Sequence, residues 1–498
     1  MANTEFVAQS GFVEAGSYQL MPLRFGHIAG DRVLLTSPSG EYAVLPRTKF
    51  EDFICGRLDH ESPEYFDLKA RHFLTHTSSA TLLRVLASQI RTKKEFLRGG
   101  PKLHIFVPTL RCNQSCGYCQ ASRANADAVG FDMTKTVASR AIDLMLSSPS
   151  PAVTMEFQGG EPLLAFDLVR WMVTETKKRA ADSKTVSYVI CTSLNLLNDE
   201  HLSFFKEEGV FVSTSLDGPA AVHDKNRPLA GPSSHSAAVR NIRRCQEALG
   251  EDRVSALMTT TRHSLSKGKE IVDEYIRLGQ RSIFLRELNP YGYAAKTTKS
   301  IGYTVPEFIR FYRETLNYII DINRKGTFFA EGYASILIKK IITPFGVGFV
   351  DLQSPTGEGF GVVLYNHDGA VYASDEARML AEMGDRTFQL GTVNDRYLDL
   401  FLGETMQQLA AAGCAEALPG CADCVYVPYC GADPIRHYRT QADLIGHRPT
   451  SSFCNKQTEI FKLLFELLND SSQEVVNILV SWIVPTRRQM PKPSWQFQ

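Results

Sequence analysis

The sequence has no excess of charge of either sign, no amino-terminal secretion signal and no apolar run long enough to cross a membrane. Lysine plus arginine and aspartate plus glutamate number 54 each, so nothing indicates a nucleic-acid partner or an anionic membrane surface. Residues 1–5 lack the basic and apolar regions of a secretory signal. The late apolar run 475–484 is interrupted by Asn477 and Ser481 and is too short for a bilayer span. These absences predict a soluble, cytoplasmic protein.

Internal repeats and low-complexity tracts are also missing. The 498 residues predict about three domains, and a hydrophobic content of 44% is ample for a buried core. There are 11 cysteines in a chain without a visible secretion signal. That combination favours metal ligation over disulfides.

Three of the cysteines, Cys112, Cys116 and Cys119, form the pattern C-x3-C-x2-C. Three thiolates on one short loop can bind three irons of a cubic [4Fe–4S] cluster and leave the fourth iron open to another ligand. A zinc knuckle is the alternative, but zinc needs a fourth ligand nearby. The nearest upstream candidate, His104, lies inside an apolar run that predicts a buried strand. The loop therefore favours an iron–sulfur site with one open position.

Six apolar segments predict strands that alternate with apolar-periodic helices. They are residues 103–107, 153–157, 187–191, 210–215, 254–260 and 282–288. Near-continuous apolar strands alternating with helices indicate an α/β protein with a parallel sheet. Six such units suggest a partial (β/α)6 barrel of the TIM type, with its chemistry at the carboxyl ends of the strands.

The cysteine loop resembles that of the radical S-adenosylmethionine (SAM) superfamily, in which an aromatic residue, here Tyr118, precedes the last cysteine. In that family the open iron chelates the methionine amino and carboxylate groups, and one electron from the cluster cleaves SAM to a 5′-deoxyadenosyl radical. The resemblance implies a SAM-binding [4Fe–4S] cluster on the three cysteines. The family's Gly-Gly-Glu-Pro segment, which contacts the methionine amino group, is matched by Gly159, Gly160, Glu161 and Pro162.

Two further turns resemble SAM contacts of the same family. Residues 192–195 stand where the family often has a Thr-Asn-Gly-like turn near the SAM ribose, which implies a contact from Ser193. Ser215 begins the run Ser-Leu-Asp-Gly-Pro, and His-Asp-x-x-Arg follows at 223–227. This combination is typical of peptide-modifying radical SAM enzymes. It implies a ribose or carboxylate contact from Ser215, alongside a cofactor contact from Tyr118.

A second group of cysteines resembles the C-terminal SPASM domain of such enzymes, which usually carries two auxiliary clusters. The resemblance implies that four cysteines of this group hold one auxiliary [4Fe–4S] cluster. A four-thiolate zinc site is the alternative. Cys414 is either an alternative ligand or a nearby free thiol. The four are Cys421, Cys424, Cys430 and Cys454.

The other auxiliary cluster is expected to be absent, because Thr356, Ser374 and Pro434 stand where its cysteines belong. Several missing thiolates cannot hold a cluster, so we expect two clusters in total. In formylglycine-making relatives an aspartate follows the cysteine that Ser374 replaces, which makes Asp375 the candidate catalytic base. The alternatives for Asp375 are pairing with Arg378 and capping a helix.

The first 98 residues predict a separate, small α+β module. Strand-like runs at 18–25, 32–37 and 42–45 precede helical patterns at 47–57 and 62–74. Before a radical SAM core, this arrangement suggests a leader-peptide recognition module that adds the peptide as an extra strand. A structural extension of the barrel is the alternative. The expected units are the module at 1–98, the barrel at 99–335, a SPASM-like iron–sulfur domain at 336–460 and a helical tail at 461–498.

Residues 18–465 together resemble the B-type radical SAM maturase of His-Xaa-Ser peptide systems, on runs at 364–369, 374–380, 430–434 and 446–450. The resemblance implies a radical SAM oxidoreductase that modifies a ribosomally made precursor peptide, by cross-linking or oxidation. An external electron donor and a second radical SAM maturase are the implied partners. Two alternatives are a Ser/Cys-oxidising enzyme similar to sulfatase maturases, which would need the second auxiliary cluster, and a non-catalytic iron–sulfur peptide-binding scaffold.

Overall fold

The structure, a computed structural model, describes residues 18–28, 30–76, 80–180, 183–231 and 233–484, without the side chain of Asp470. The amino-terminal residues 1–5 and the last part of the expected tail, 485–498, lie outside the described residues. No helix in the described ranges combines the length and apolar character that a membrane span needs.

The amino-terminal unit has its own core, built from Phe53, Tyr65, Leu68 and Phe73 among other buried residues. Its strands β2, β3 and β4 form an antiparallel sheet, and β1 pairs with β5. The sequence run at 18–25 therefore divides into two strands, while the other expected strands and both helices are confirmed. The elements are β1 Gln19–Leu20, β2 Arg24–His27, β3 Arg32–Thr36, β4 Tyr42–Pro46, α1 Arg47–Ile54, α2 Pro63–Ala70, β5 Leu74–Thr75 and α3 Ala80–Lys93.

The central region alternates strands and helices, as expected. Its elements are β6 Leu103–Thr109, β7 Arg111–Cys112, β8 Ala124–Asn125, α4 Lys135–Leu146, β9 Ala152–Gly159, α5 Phe166–Ala180, β10 Thr185–Thr192, α6 Asp199–Glu208, β11 Phe211–Ser215, α7 Ala220–Asn226, α8 Ser234–Leu249, β12 Val254–Leu257, α9 Gly268–Arg277, β13 Ser282–Ile283, α10 Gly292–Ile301, α11 Val305–Arg324, β14 Ala330–Glu331 and α12 Gly332–Ile342.

Shorter elements follow in the carboxy-terminal region, and two helices close it. They are β15 Val362–Tyr365, β16 Ala370–Tyr372, α13 Asp375–Ala381, β17 Gln389–Thr392, α14 Tyr397–Phe401, α15 Glu404–Ala412, α16 Pro434–Gln441, α17 Ser452–Asp470 and α18 Gln473–Ser481. The expected boundaries at 335/336 and 460/461 fall inside α12 and α17, so neither marks a break in the chain's secondary structure.

Five parallel strands, β6 and β9 to β12, lie side by side in chain order. Successive neighbours in chain order are the topology of a (β/α) barrel, and the fold is an α/β partial barrel. Buried side chains on the sheet pack against the surrounding helices and exclude water from that face. One row of paired positions across the strands consists of Phe106, Phe157, Ile190, Val212 and Val254.

The expected sixth strand is shorter than predicted and lies outside this sheet. Only β13 forms, and it pairs with β14. The chain turns directly after it, because the Arg286 N–H donates to the Phe284 carbonyl at 2.8 Å, the bond of a three-residue turn. Glu287 then enters a buried ion pair with Arg436. The prediction of a strand over 282–288 is therefore wrong beyond Ile283.

The other edge of the sheet is extended by the carboxy-terminal region. Strand β15 pairs in parallel with β6, and β16 and β17 continue antiparallel to give eight strands. The segment that we expected as a separate SPASM-like domain therefore supplies three strands to the barrel sheet.

Candidate functional site

The cysteine loop follows the carboxyl end of β6 and is held by backbone hydrogen bonds. The Gly117 N–H donates to the Asn226 carbonyl at 3.2 Å, and the Tyr293 N–H donates to the Cys119 carbonyl at 2.8 Å. The charges of Cys112, Cys116 and Cys119 act on one another, so the three thiols lie within electrostatic range of each other. The structure thus brings the three predicted ligands together.

Each of these thiols has an arginine within electrostatic range. Arg123 acts on Cys112, Arg227 on Cys116, and Cys119 on the guanidinium of Arg378. Three cations around three thiolates suit an anionic cluster, because they offset its negative charge.

The spacing of the cysteines distinguishes a single metal ion such as zinc from an iron–sulfur cluster. Within the described residues, no three Cys, His, Asp or Glu side chains converge closely enough to bind one metal ion. A cubane tolerates a wider spacing, since each thiolate binds a different iron. His104 is not available as a zinc ligand. It is fully buried, with one ring nitrogen 3.0 Å from the Pro101 carbonyl and the other 3.1 Å from the Tyr365 hydroxyl.

Tyr118 anchors the loop from inside. Its hydroxyl donates to the Asp217 carboxylate at 2.7 Å, and the Arg227 Nε donates to the same carboxylate at 3.3 Å. The Arg227 guanidinium also lies 5.0 Å from the centroid of the Tyr118 ring. The Tyr118 hydroxyl is therefore already hydrogen-bonded within the protein. A cofactor contact through its ring or backbone stays a prediction.

Gly159 and Gly160 let the second motif pack against the backbone that leads to the cysteines. A Cβ on Gly159 would lie 2.3 Å from the Thr109 carbonyl oxygen, and one on Gly160 would lie 2.2 Å from that of Arg111. Gly159 also has a φ of +127°, a conformation that disfavours side chains. Pro162 then begins a buried 3₁₀ turn. The two glycines are therefore needed for backbone packing, whatever ligand they meet.

The Glu161 carboxylate is already saturated with donors. It is only 1% exposed, and it accepts bonds from the Thr192 hydroxyl at 2.6 Å and the Leu163 N–H at 3.2 Å. Its other oxygen accepts from the N–H and hydroxyl of Ser193, at 2.9 and 2.6 Å. Four bonds fill the acceptor positions of a carboxylate. An ammonium group could reach Glu161 only by displacing one of these donors.

The turn after β10 has an unusual backbone and a buried polar side chain. Leu194 has a φ of +61°, a strained conformation for a leucine. The next side chain, Asn195, has both amide atoms buried, and neither has a hydrogen-bond partner in the part of the chain that the structure describes. Ser215 ends β11 at the same edge of the sheet and is partly exposed. An amide with a free donor and a free acceptor suits a polar cofactor such as SAM.

The second group of cysteines also converges. The charges of Cys421, Cys424 and Cys454 all act on Cys430. Cys414 is different, since the charges acting on its thiol are those of Glu416 and Lys94. Four thiols within electrostatic range of one another could hold either an iron–sulfur cluster or a zinc ion.

The three positions that lack the second auxiliary cluster's thiolates have local roles. Ser374 Oγ accepts the Ala377 N–H at 3.3 Å and caps α13. Thr356 Oγ1 donates to Glu358 at 3.2 Å, and Pro434 occupies the first turn of α16. The cap of α13 is thus Ser374 and not Asp375. The Asp375 carboxylate instead lies within electrostatic range of Arg378 and of the Glu376 carboxyl.

Comparison with known families agrees with this geometry. Residues 106–283 match the radical SAM superfamily. These residues make up just over a third of the chain and are similar to the radical SAM domains of enzymes. One relative is the serine-type anaerobic sulfatase-maturating enzyme of Klebsiella aerogenes, 28% identical over 191 residues, which are 37% of this chain and 46% of that enzyme. The chain spans less than two thirds of the length of the first curated relatives that it matches.

Two solved structures share the radical SAM fold over longer stretches. The anSMEcpe enzyme, solved with AdoMet and the Kp18Cys peptide, has a TM-score of 0.62 at 16% identity and covers 76% of this chain and 100% of its own. SuiB of Streptococcus suis, solved with its precursor peptide SuiA, has a TM-score of 0.52 at 11% identity and covers 87% of this chain and 99% of its own.

Sequence reasoning missed the roles of several residues around the cysteine loop. Arg123 belongs to no motif that the sequence analysis singled out, and Arg378 was considered only as a partner of Asp375. Both arginines meet the cysteines only in the fold. Asp217 stands inside the Ser-Leu-Asp-Gly-Pro run, and its burial at 0% exposure beside Arg227 gives it a role that the run alone does not indicate.

Proposed function

We propose that this protein is a radical SAM enzyme that modifies a ribosomally made precursor peptide. The observation that carries the proposal is the meeting of three cysteine thiols with the Gly-Gly-Glu-Pro segment and the turn at 192–195 on one edge of the sheet. The peptide substrate is supported by the names of the relatives, which include a sulfatase-maturating enzyme and two enzymes solved with peptides.

The chain's own residues fit the two cofactors that this activity requires. Cys112, Cys116 and Cys119 would hold a [4Fe–4S] cluster, and the unpaired amide of Asn195 would meet SAM. When bound, these cofactors supply a 5′-deoxyadenosyl radical that can abstract a hydrogen atom. The predicted contacts of Ser193, Ser215 and the 159–162 segment belong to this proposal.

Glu156 on β9 and Asp375 at the start of α13 lie within electrostatic range of each other. Glu156 is partly exposed and accepts a hydrogen bond from Gln158. A peptide segment bound between β9 and α13 would meet a carboxylate from each side. We infer that Asp375 accepts the proton released when the peptide is oxidised.

The auxiliary cluster belongs to the proposal as well. Its four thiols would hold a [4Fe–4S] cluster, which when bound can take up the electron that accompanies the proton. An external donor would supply the electron that SAM cleavage requires. The finer assignment, to a His-Xaa-Ser maturase that works with a second radical SAM enzyme, rests on the runs at 364–369 and 446–450. The sulfatase-maturase alternative is disfavoured because Thr356, Ser374 and Pro434 cannot supply thiolates.

Anaerobic reconstitution with iron, sulfide, SAM and dithionite tests this function. We expect 5′-deoxyadenosine from the protein alone, and a mass change in a precursor peptide encoded beside it. A folded, iron-loaded protein that forms no 5′-deoxyadenosine would be a scaffold and would overturn the proposal.

A further inference from the structure

Five carboxylates meet between the barrel and the carboxy-terminal region, and we call them the acidic cluster. Asp351, Asp375 and Asp433 each act electrostatically on Glu358 and on Glu376. The five carboxylates come from four separate segments. These are the turn at 350–352, the loop before β15, the start of α13 and the cap of α16. Carboxylates of like charge that are brought together in the interior repel one another, so they require a partner that offsets their negative charge.

The nearby cations balance this charge only in part. Arg286 acts on Asp351, and Arg378 lies within range of Asp375. The strongest charges acting on Glu358 and Glu376 are those of other carboxylates. Arg436 donates to Glu287 through two nitrogens, at 2.6 and 3.2 Å, and Lys456 donates to the same carboxylate. This ion pair engages both cations with a sixth acid outside the acidic cluster. Burial and the neighbouring carboxylates raise the pKa of Glu358 and Glu376 well above the usual range, and that of Asp433 to about 7. Protons therefore compensate the repulsion when no other cation is bound.

A buried hydroxyl within electrostatic range of the acidic cluster has no hydrogen-bond partner among the described residues. Tyr291 is 1% exposed, and its hydroxyl makes no hydrogen bond within the described residues. The charges that act on this hydroxyl include those of Asp433, Glu376 and Glu358. A buried hydroxyl left unpaired is costly, so this one indicates a ligand that the folded chain itself does not provide.

Residues next to the acidic cluster contact the cysteine loop from two sides. Gly292, next to Tyr291, has a φ of +57°, and a Cβ there would lie 2.7 Å from the Cys119 carbonyl oxygen. From the other side, Arg378 donates to the Ala121 carbonyl at 3.0 Å and lies within range of Asp375. A group bound by the acidic cluster would therefore lie beside the site where the radical forms.

Within the described ranges, no three carboxylates lie close enough together to bind a single metal ion. An organic cation suits spread acceptors, since its N–H groups are themselves spread over several directions. We propose that the acidic cluster and Tyr291 bind a cationic side chain of the peptide substrate. This inference rests on the proposed function for the identity of the substrate, but the cation site can be tested without it.

The test uses small probes and the SAM-loaded, reconstituted protein. The cationic probes are the Nα-acetyl amides of arginine, lysine and histidine, and the neutral isostere is that of citrulline. Calorimetric titration should show at least one cationic probe binding about tenfold more tightly than citrulline. The Tyr291→Phe variant should bind that probe a few-fold more weakly, since the substitution removes one hydroxyl and no charge. The double variant Glu376→Gln, Asp433→Asn should bind the cationic probes no more tightly than the citrulline probe.

The matched control changes the same two residue types at exposed positions, Glu207→Gln with Asp252→Asn, and should keep the full preference. Equal binding of citrulline and the cationic probes would overturn the inference. So would a preference that survives the double variant, or Mg²⁺ or Ca²⁺ binding in place of the organic probes.

Production of 5′-deoxyadenosine is measured on the same samples. Cation preference without 5′-deoxyadenosine would sink the proposed function and support the cation site, and the reverse result would sink the cation site alone.

Discussion

The hydroxyl of Tyr118 and the carboxylate of Asp217 are joined at 2.7 Å in the protein interior. Tyr118 belongs to the cysteine loop, and Asp217 follows β11, so this bond ties the loop to the barrel. The same carboxylate accepts the Thr259 N–H at 3.2 Å and holds Arg227, whose charge reaches Cys116. One buried acid therefore positions the loop and a cation beside it.

We expect Asp217→Asn to destabilise the fold by about 3 kcal/mol, because it leaves the buried guanidinium of Arg227 without its anion. Tyr118→Phe removes a single hydroxyl and should cost about 1 kcal/mol. Urea denaturation of the reconstituted protein measures both. Equal, small losses would show that Asp217 and Arg227 do not act as a pair.

Glu161→Gln should weaken SAM binding more than it lowers the cluster content. The new amide group would meet the Ser193 N–H or the Thr192 hydroxyl with a donor in place of an acceptor, and so disturb the turn that carries Asn195. Equilibrium dialysis of SAM and iron analysis give the two quantities. Glu207→Gln, at an exposed position, is the control. If SAM binding and iron content fell by the same fraction, Glu161 would instead be a residue that stabilises the cluster site.

Iron content tests the number of clusters. Full reconstitution should give about eight irons per chain, since seven cysteines serve two [4Fe–4S] clusters. Replacing Cys112, Cys116 and Cys119 together with alanine should leave about four irons and abolish SAM cleavage. Around twelve irons in the wild type would reveal a third cluster, and a folded triple variant without iron would refute the carboxy-terminal one.

Asp375→Asn should keep the fold, both clusters and uncoupled 5′-deoxyadenosine formation, but should stop modification of the precursor peptide. The reason is that asparagine cannot accept the proton that leaves the peptide. Mass spectrometry of the peptide and chromatography of the nucleoside separate the two readouts. Modification at a near-normal rate would make Asp375 a structural residue.

His104 should make stability depend on pH. Burial lowers its pKa from 6.5 to about 3, so the folded protein holds it neutral while the unfolded chain protonates it. Its contribution is complete above pH 6.5 and falls as the pH drops from 6.5 towards 3, by about 1.4 kcal/mol per unit. The difference in Tm between wild type and His104→Gln should therefore narrow between pH 6.5 and 5. A constant difference would contradict this.

Motifs in the sequence predicted most of the candidate site, because the cysteine loop, the Gly-Gly-Glu-Pro segment and the turn at 192–195 each follow a recognisable apolar strand. Strand periodicity also predicted five of the six barrel strands. It failed at 282–288, where the buried pairing of Glu287 with Arg436 depends on a residue far along the chain.

The acidic cluster was beyond such reasoning for a similar reason. Its members stand singly among apolar neighbours, apart from Asp375 and Glu376, and only the fold brings Asp351 and Asp433 to them. The role of Glu161 was also incomplete from sequence, since its partners Thr192 and Ser193 lie on the next strand and turn.

The parallel pairing of β15 with β6 has a consequence for synthesis on the ribosome. β6 opens the barrel, but its outer edge stays unpaired until Val362 emerges, long after β12 is complete. Until then the nascent chain presents a row of free backbone donors and acceptors that invites pairing with other chains. The barrel reaches its final form only when the carboxy-terminal cysteine region is being made, so the two parts of the protein mature together.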